Sequence, residues 1–139
     1  MSAILVASAA RTTSDASTPI QISDSVGSGK FLLDVTVAGS LAGDTLDVYV
    51  QTSPDGGTTW DDFIHFTQAL GNGGAKKFSA AWSRDVTPTT PMGALKDAAL
   101  AAGVNQGPIS RTLRVKWVIV DGSGTHSFTF SLTAEFNRR

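Results

Sequence analysis

Three aspartates in one short stretch are the residues with the clearest potential for chemistry. Asp55, Asp61 and Asp62 carry the carboxylate oxygens that Ca²⁺ prefers. Their spacing does not match an EF-hand loop, and Asp61 and Asp62 point to opposite faces if both lie in one strand. The sequence therefore predicts turn chemistry for Asp55 and a solvated strand edge for the other two, with no metal site.

The two histidines, His65 and His126, do not complete a metal or catalytic site in the sequence. Zn²⁺ is held by clustered His, Cys and carboxylate ligands, and the chain has no Cys. Segments typical of serine hydrolases, glycosidases and phosphate-binding loops do not occur either. The sequence thus predicts no catalytic residue, no cofactor and no enzyme, and it places His65 on a strand surface.

Positive charge is concentrated on one strand, where Arg111, Arg114 and Lys116 share the outward side, and Arg138-Arg139 end the chain. Scattered charges without interleaved aromatic residues do not favour nucleic-acid binding. The formal net charge of −1 also provides no global field that would attract nucleic acid or an acidic membrane. Val118 and Val120 lie on the same outward side, and a covered edge or a subunit contact would explain them.

Aromatic residues raise a second kind of site. Exposed Trp60, Trp82 or Tyr49 could stack on sugar rings, as in a carbohydrate-binding β-sandwich module. The alternative is that the tryptophans belong to the core, because Trp60 and Trp82 each sit on an apolar stripe. The exposure of these rings distinguishes the two interpretations.

Length and composition set the frame for these residues. A chain of 139 residues suits a single domain, 1–139, with one core. Charged residues make up 17% of the sequence, below the usual figure of about 25%, and Ser, Thr and Gly fill the polar positions. No stretch approaches the about 20 apolar residues of a membrane span. Residues 1–18 are predicted as a first strand followed by a loop, or as an extended N-terminal arm.

A hairpin over 44–68 organises the chain. Its first arm alternates apolar and polar residues from Leu46 to Gln51, which is the pattern of a half-buried strand. The second arm, 59–67, is rich in aromatic residues. Between the arms, Ser53-Pro54-Asp55-Gly56-Gly57 predicts a tight turn, because Pro presets φ, Asp bonds nearby amides and Gly accepts positive φ.

The other predicted strands follow the same alternation. Apolar residues alternate over 20–22, 31–37, 78–82, 113–119 and 128–136. Because Asp121-Gly122-Ser123-Gly124 separates the last two runs, they are predicted to form a second hairpin.

Residues 84–110 interrupt the β pattern and are predicted as a long loop with one short helix. Thr90 suits an N-cap, Pro91 the first helical position and Gly103 the residue after the helix. A loop of this length is usually functional or a contact element. The predicted buried stripe is Met92, Leu95 and Ala99, and the predicted subunit contacts are Val118, Val120, Met92 and Leu95.

Seven to eight strands with tight turns predict an all-β fold. The architecture expected is a two-sheet β-sandwich of jelly-roll or immunoglobulin-like kind.

The turn resembles a known motif. The residues from Ser53 to Trp60 resemble the Asp-box of sialidase-type β-propellers, with Ser53, Asp55, Gly57, Thr59 and Trp60 at its fixed positions. That resemblance implies a structural turn in which the carboxylate ties the loop to itself and the aromatic ring docks beneath it. A propeller needs several blades of about 40–50 residues, so one copy in this chain does not make one.

About half of the chain resembles small structural proteins of tailed bacteriophages. The segments that carry the resemblance are Phe31 to Val37, Leu46 to Asp62, Leu113 to Trp117 and Phe128 to Leu132. The resemblance implies a virion β-sandwich protein, made in the host cytoplasm, that binds the major capsid protein or other virion proteins. It favours a capsid decoration protein on the head surface, acting as a small homo-oligomer, with a trimer favoured. A head–tail junction or tail protein is the alternative within this class.

Overall fold

The computed structural model describes residues 2–83, 93–106, 109–121 and 127–138. These residues form eleven β-strands and no helix, so none of them belongs to a helix that could cross a membrane. The strands are β1 Ser2–Arg11, β2 Asp15–Ala16, β3 Ile20–Gln21, β4 Val26–Val37, β5 Thr45–Ser53, β6 Asp61–His65, β7 Ala69–Leu70, β8 Lys76–Ser83, β9 Val104–Asn105, β10 Thr112–Val120 and β11 Phe128–Arg138.

The strands form two antiparallel sheets. The smaller sheet has the order β1-β11-β4-β8, and the larger has the order β2-β10-β5-β6-β9, with β3 paired to β10 and β7 paired to β5. The prediction of an all-β, two-sheet sandwich is confirmed. Four of the eleven strands have only two residues, and such short pairings leave no periodic signal in the sequence.

The core lies between the sheets and follows the alternation of the long strands. Leu113 and Val115 of β10, like Phe130 and Leu132 of β11, are fully buried. Trp117 meets Phe130 edge to face across the layers, with ring centroids 5.7 Å apart. Each large apolar side chain buried in this way contributes about 1.5–3 kcal/mol, so the inward positions of the long strands hold the two sheets together.

The predicted second hairpin is wrong. Strand β10 pairs with β5, β2 and β3 in the larger sheet, whereas β11 pairs with β1 and β4 in the smaller one. Both strands present one apolar face to the same core, but from opposite sides. Alternation fixes which face is buried, and it does not distinguish a hairpin partner from a strand in the facing sheet.

The predicted short helix is also absent from the described part of 84–110. Residues 93–103 have no helical structure, and Ala98 has a positive φ of 58°. Leu95 is 54% exposed and Ala99 is exposed, while Leu100 is buried; Met92, the third residue of the predicted stripe, lies outside the described residues. A helix of this length is marginal on its own, and here side chains of the larger sheet bind the backbone amides that it would use.

The N-terminal residues form a strand instead of a free arm. Strand β1 pairs with β11 over most of its length, with register shifts after Ile4 and after Val6. Ile22, which follows β3, is buried in the core. The start of the chain therefore forms the edge strand of the smaller sheet and contributes Ile22 to the core of the sandwich.

Candidate functional site: a clasped strap on the larger sheet

The outer face of the larger sheet carries the densest polar network among the described residues. Residues 96–105, here called the strap, cross this face outside β5 and β6 and end as β9 on the edge of the sheet. Side chains of β5, β6 and β10 hold the strap in place.

Asp62 is the centre of the network. Its side chain is buried, and its Oδ2 accepts hydrogen bonds from the amides of Ala99 at 2.7 Å and Leu100 at 2.9 Å. Its Oδ1 accepts from the Ala98 amide at 3.0 Å and from Nε2 of Gln51 at 2.9 Å. Four donors thus satisfy both oxygens, and the prediction of a solvated edge for Asp62 is wrong.

A β-bulge places Asp62 in this position. Val50 of β5 pairs with Ile64, and the next residue, Gln51, pairs with Asp62, so that Phe63 is an extra residue in β6. Phe63 and Ile64 are both buried in the core, while Asp62 faces outward. The bulge therefore lets consecutive residues serve the core and the strap.

Asp61 makes a smaller contribution at the start of the strap. Its Oδ1 accepts the amide of Lys96 at 2.9 Å, and the Lys96 carbonyl accepts the amide of Asp62 at 2.6 Å. The described residues contain no group of three or more His, Cys, Asp or Glu side chains placed to hold a metal ion. Asp55, Asp61 and Asp62 are not brought together; each binds backbone amides nearby.

Gln51 connects the network around Asp62 to the predicted basic strand. Its side chain is fully buried, its Nε2 donates to Asp97 of the strap at 2.7 Å, and its Oε1 accepts from Nε of Arg114 at 2.7 Å. Lys116 pairs with the same Asp97 carboxylate at 2.8 Å. Two of the predicted outward cations therefore bind the strap.

These charged groups shift one another's pKa values. The hydrogen bond from Lys116, followed by that from Gln51 and the charge of Arg114, lowers the pKa of Asp97 against the opposing effect of burial. Burial lowers the pKa of Arg114, and Asp97 and Asp62 partly offset that effect. Arg111, the third predicted cation, lies outside the network and forms an exposed ion pair with Asp24 at 3.3 Å.

His65 is a clamp for the strap. It is buried, its ring stacks on Tyr49 with centroids 4.0 Å apart, and its Nδ1 lies 2.6 Å from the Leu100 carbonyl. Its Nε2 lies 2.8 Å from Oδ1 of Asp47. The prediction that His65 is a strand-surface residue is wrong, because the strap covers it; the other histidine, His126, lies outside the described residues.

The contacts of His65 favour its charged form. Burial by itself would lower the pKa of His65, but the hydrogen bonds to Asp47 and to the Leu100 carbonyl outweigh it and raise that pKa. The pKa of Asp47 is lowered, since the hydrogen bonds from His65 and Gln68 outweigh its burial. Both ring nitrogens of His65 lie within hydrogen-bond distance of oxygen acceptors, the Leu100 carbonyl and the Asp47 carboxylate.

The Asp55 turn connects β5 and β6 at the end of this face. Oδ1 of Asp55 accepts the amides of Thr58 and Thr59 and the Ser53 hydroxyl, and Oδ2 accepts the Thr59 hydroxyl. Ser53 Oγ in turn accepts the Gly57 amide at 2.6 Å. The hydrogen bonds from Thr59 and Ser53 lower the pKa of Asp55 to about 2.

Trp60 packs beneath this turn. A Cβ on Gly57, whose φ is +118°, would lie 3.9 Å from the Trp60 ring. The guanidinium of Arg114 stacks on the same ring at 4.4 Å from its centroid. The Trp60 ring thus connects the turn to Arg114 of the basic strand. Through Arg114 it is linked to Gln51 and the network around Asp62.

The aromatic residues considered for sugar binding are covered. Trp60, Trp82, Trp117 and Tyr49 have at most 8% of their surface exposed. Sugar binding by stacking requires aromatic rings exposed on one face. Since none of these four rings is exposed, the structure removes the reason for that interpretation.

The described residues among the predicted subunit contacts lie at two places, at the end of β10 and next to the strap. Val118 is half-buried, whereas Val120 is 53% exposed at the end of β10. Register places Val120 opposite Thr45 of β5 and Thr45 opposite Leu70 of β7, which is also exposed. Leu95 is exposed beside the strap, and Met92 lies outside the described residues.

No motif or pattern in the sequence predicts the residues that connect the network. Asp97 and Gln51 lie 46 positions apart, and Asp47 and His65 lie 18 apart. The alternation of β5 predicts only that Asp47, Tyr49 and Gln51 share its outward side, and it does not indicate what they bind. Only pairing of the strands brings these side chains together.

Comparisons with known proteins identify no family for the chain. No family model matches it, and no curated protein matches it. Among solved structures, a chain of the cryo-EM atomic structure of broad bean stain virus is similar over 81% of this chain, with 13% sequence identity and a TM-score of 0.45. The match spans 55% of that viral chain, so this protein corresponds to about half of its length.

Proposed function

We propose that the protein is a non-enzymatic structural component of a tailed-phage virion, and within that class a capsid decoration protein on the head surface. The observation that carries the proposal is the use of the polar groups. Asp61, Asp62 and His65 are engaged in holding the strap and Asp55 in holding its own turn, while apolar side chains remain exposed outside the sandwich. The resemblance to phage structural proteins supplies the biological class.

The surface proposed to bind the major capsid protein lies at the end of β10, beyond the strap. Val120 and Leu70 flank Thr45 there, and Val118 adjoins them. Exposed apolar residues next to a polar network are typical of protein contacts with a small apolar centre and a polar rim.

The test is binding to purified particles from the same phage. The protein is mixed with capsid shells lacking it, and co-sedimentation is measured for the wild type and for Val120→Lys. We expect the wild type to bind shells and Val120→Lys to bind about tenfold or more weakly, because a charge replaces an apolar contact. Val37→Lys is the matched control, since Val37 is equally exposed at 53% but lies on the smaller sheet.

Tails and head–tail junctions are tested in the same experiment. Binding to tails or to portal-bearing vertices, with none to the shell, would replace decoration by a junction or tail role. A protein that binds none of these particles would overturn the proposal as a whole.

A further inference from the structure

The outer face of the smaller sheet carries two exposed rows that register across all four strands. In the central row, Ile4 of β1 pairs with Thr133 of β11, Thr133 with Leu32 of β4, and Leu32 with Ser79 of β8. Ile4 is 71% exposed and Leu32 is 38% exposed. No side chain of this row is charged.

The adjacent row is polar at its centre. Ser2 pairs with Glu135, Glu135 with Lys30, and Lys30 with Ala81. A shallow groove of about 410 Å³ runs between the two rows. The eight residues are called the small-sheet face: Ser2, Ile4, Lys30, Leu32, Ser79, Ala81, Thr133 and Glu135.

We propose that the small-sheet face binds the same face of a second copy of this chain, about a two-fold axis parallel to the strands and between β11 and β4. This axis places β11 of one copy over β4 of the other, and β1 over β8. The inference goes beyond the proposed function, because it concerns a contact between copies of the chain, and it proposes a two-fold dimer where the resemblance favours a trimer.

Charge complementarity argues for this occupant. Under the two-fold operation, Glu135 of each copy faces Lys30 of the other, so the contact contains two opposite-charge pairs and no like-charge pair in that row. An isologous interface must be self-complementary in this way. A two-fold axis that placed Glu135 over Glu135 or Lys30 over Lys30 would bring like charges together, so the charges favour an axis between the two residues.

The sizes of the side chains that face each other across the proposed axis are also complementary. The two large residues of the central row, Ile4 and Leu32, face Ser79 and Thr133 of the other copy. In the polar row, Ser2 faces Ala81. Large residues therefore face smaller ones, which allows two sheets to pack at about 10 Å with the small angle usual for aligned sandwiches.

Charge reversal with mixing tests the inference in isolated protein. Analytical ultracentrifugation is run on the wild type, on Lys30→Glu and on Glu135→Lys, with circular dichroism to establish folding. The wild type is expected to sediment as a dimer. Each single variant is expected to dimerise about tenfold or more weakly, because every dimer would contain two like-charge pairs.

Mixing separates contacts between chains from contacts within one chain. Lys30→Glu and Glu135→Lys chains together form two opposite-charge pairs only across the proposed axis, so an equimolar mixture should recover a heterodimer. Lys96→Glu on the strap is the matched control, and it should dimerise like the wild type. Leu32→Arg should also weaken the dimer, because it places a charge in the uncharged central row, and neither single charge-reversal variant should restore its association.

The outcomes are distinct from those of the capsid assay. A monomeric wild type, unchanged association of Leu32→Arg, or folded single variants that do not recover on mixing would each overturn the two-fold contact. A wild type that sediments as a trimer, the state that the resemblance favours, would also overturn it. None of these results depends on whether the protein binds capsid shells.

Discussion

At the scale of single residues, the chain uses carboxylates as acceptors for backbone amides. Asp55 binds the amides of the turn that it belongs to, whereas Asp62 binds amides more than 30 positions away. The first arrangement is local and has a sequence signature. The second depends on the fold, although the two residues lie in the same hairpin.

The Asp55 turn should be structural. Asp55→Ala removes the acceptor of two amides and two hydroxyls, and we expect a lower midpoint of denaturant unfolding. Asp55→Asn, which keeps one acceptor oxygen, should be intermediate. Trp60→Ala should lower the free energy of unfolding by about 3–5 kcal/mol, because it empties a buried site.

Particle binding distinguishes this role from recognition. Both the Asp55 and Trp60 variants should bind capsid shells in proportion to their folded fraction. If Asp55→Ala is as stable as the wild type and yet fails to bind, the turn is a recognition site.

At the scale of elements, the strap behaves as part of the larger sheet although most of it is not a strand. It is attached at its start through Asp61 and Asp62, in the middle through Tyr49 and Gln51, and at its end through β9. Because several side chains attach the strap independently, loss of one should detach part of the strap without unfolding the sandwich.

Asp62 is the exception that we expect to matter most. Asp62→Ala leaves three strap amides without their acceptor and removes one of the two hydrogen bonds of Gln51 Nε2, so it should lower the free energy of unfolding by about 3 kcal/mol or more. Trypsin cleavage after Lys96 should also become faster. Asp61→Ala, which removes one exposed contact, is the matched control and should cost less than about 1 kcal/mol. Equal stability of the two variants would contradict the central role of Asp62.

At the scale of the whole molecule, coupled charges predict a stability maximum in weakly acidic solution. The pKa values of Asp55, Asp47 and Asp97 are lowered, so their contributions are present above the ordinary value of 3.8 and are lost as pH falls through the folded values. The raised pKa of His65 gives stability that is complete below 6.5 and is lost as pH rises through the folded value.

This prediction is checked by urea unfolding at a series of pH values. Stability should rise from pH 2 to about 4, stay highest up to about 6.5, and then fall. His65→Gln should remove most of the decline on the alkaline side, although it lowers stability throughout. An unchanged alkaline slope in this variant would show that His65 does not stabilise the fold through its charge.

The sequence by itself determined the long strands and the turn, because both depend on residues that are close in the chain. Alternation selects the buried face of strands such as β5 and β10, and Pro54, Asp55 and the two glycines specify the connection within 44–68. These local preferences were sufficient for the class of fold and for the first hairpin.

The tertiary structure alone decided the arrangement of those elements. Strands β10 and β11 both have one apolar face, and only their pairing with other strands, not their own pattern, places them in opposite sheets. The strap has helix-favouring residues, yet Asp62, Tyr49 and His65 bind its backbone and override that preference. Register likewise creates the small-sheet face from four strands whose residues are up to 133 positions apart in the chain, as Ser2 is from Glu135. Such contacts exist only after the chain has folded, and therefore no local pattern in the sequence predicts them.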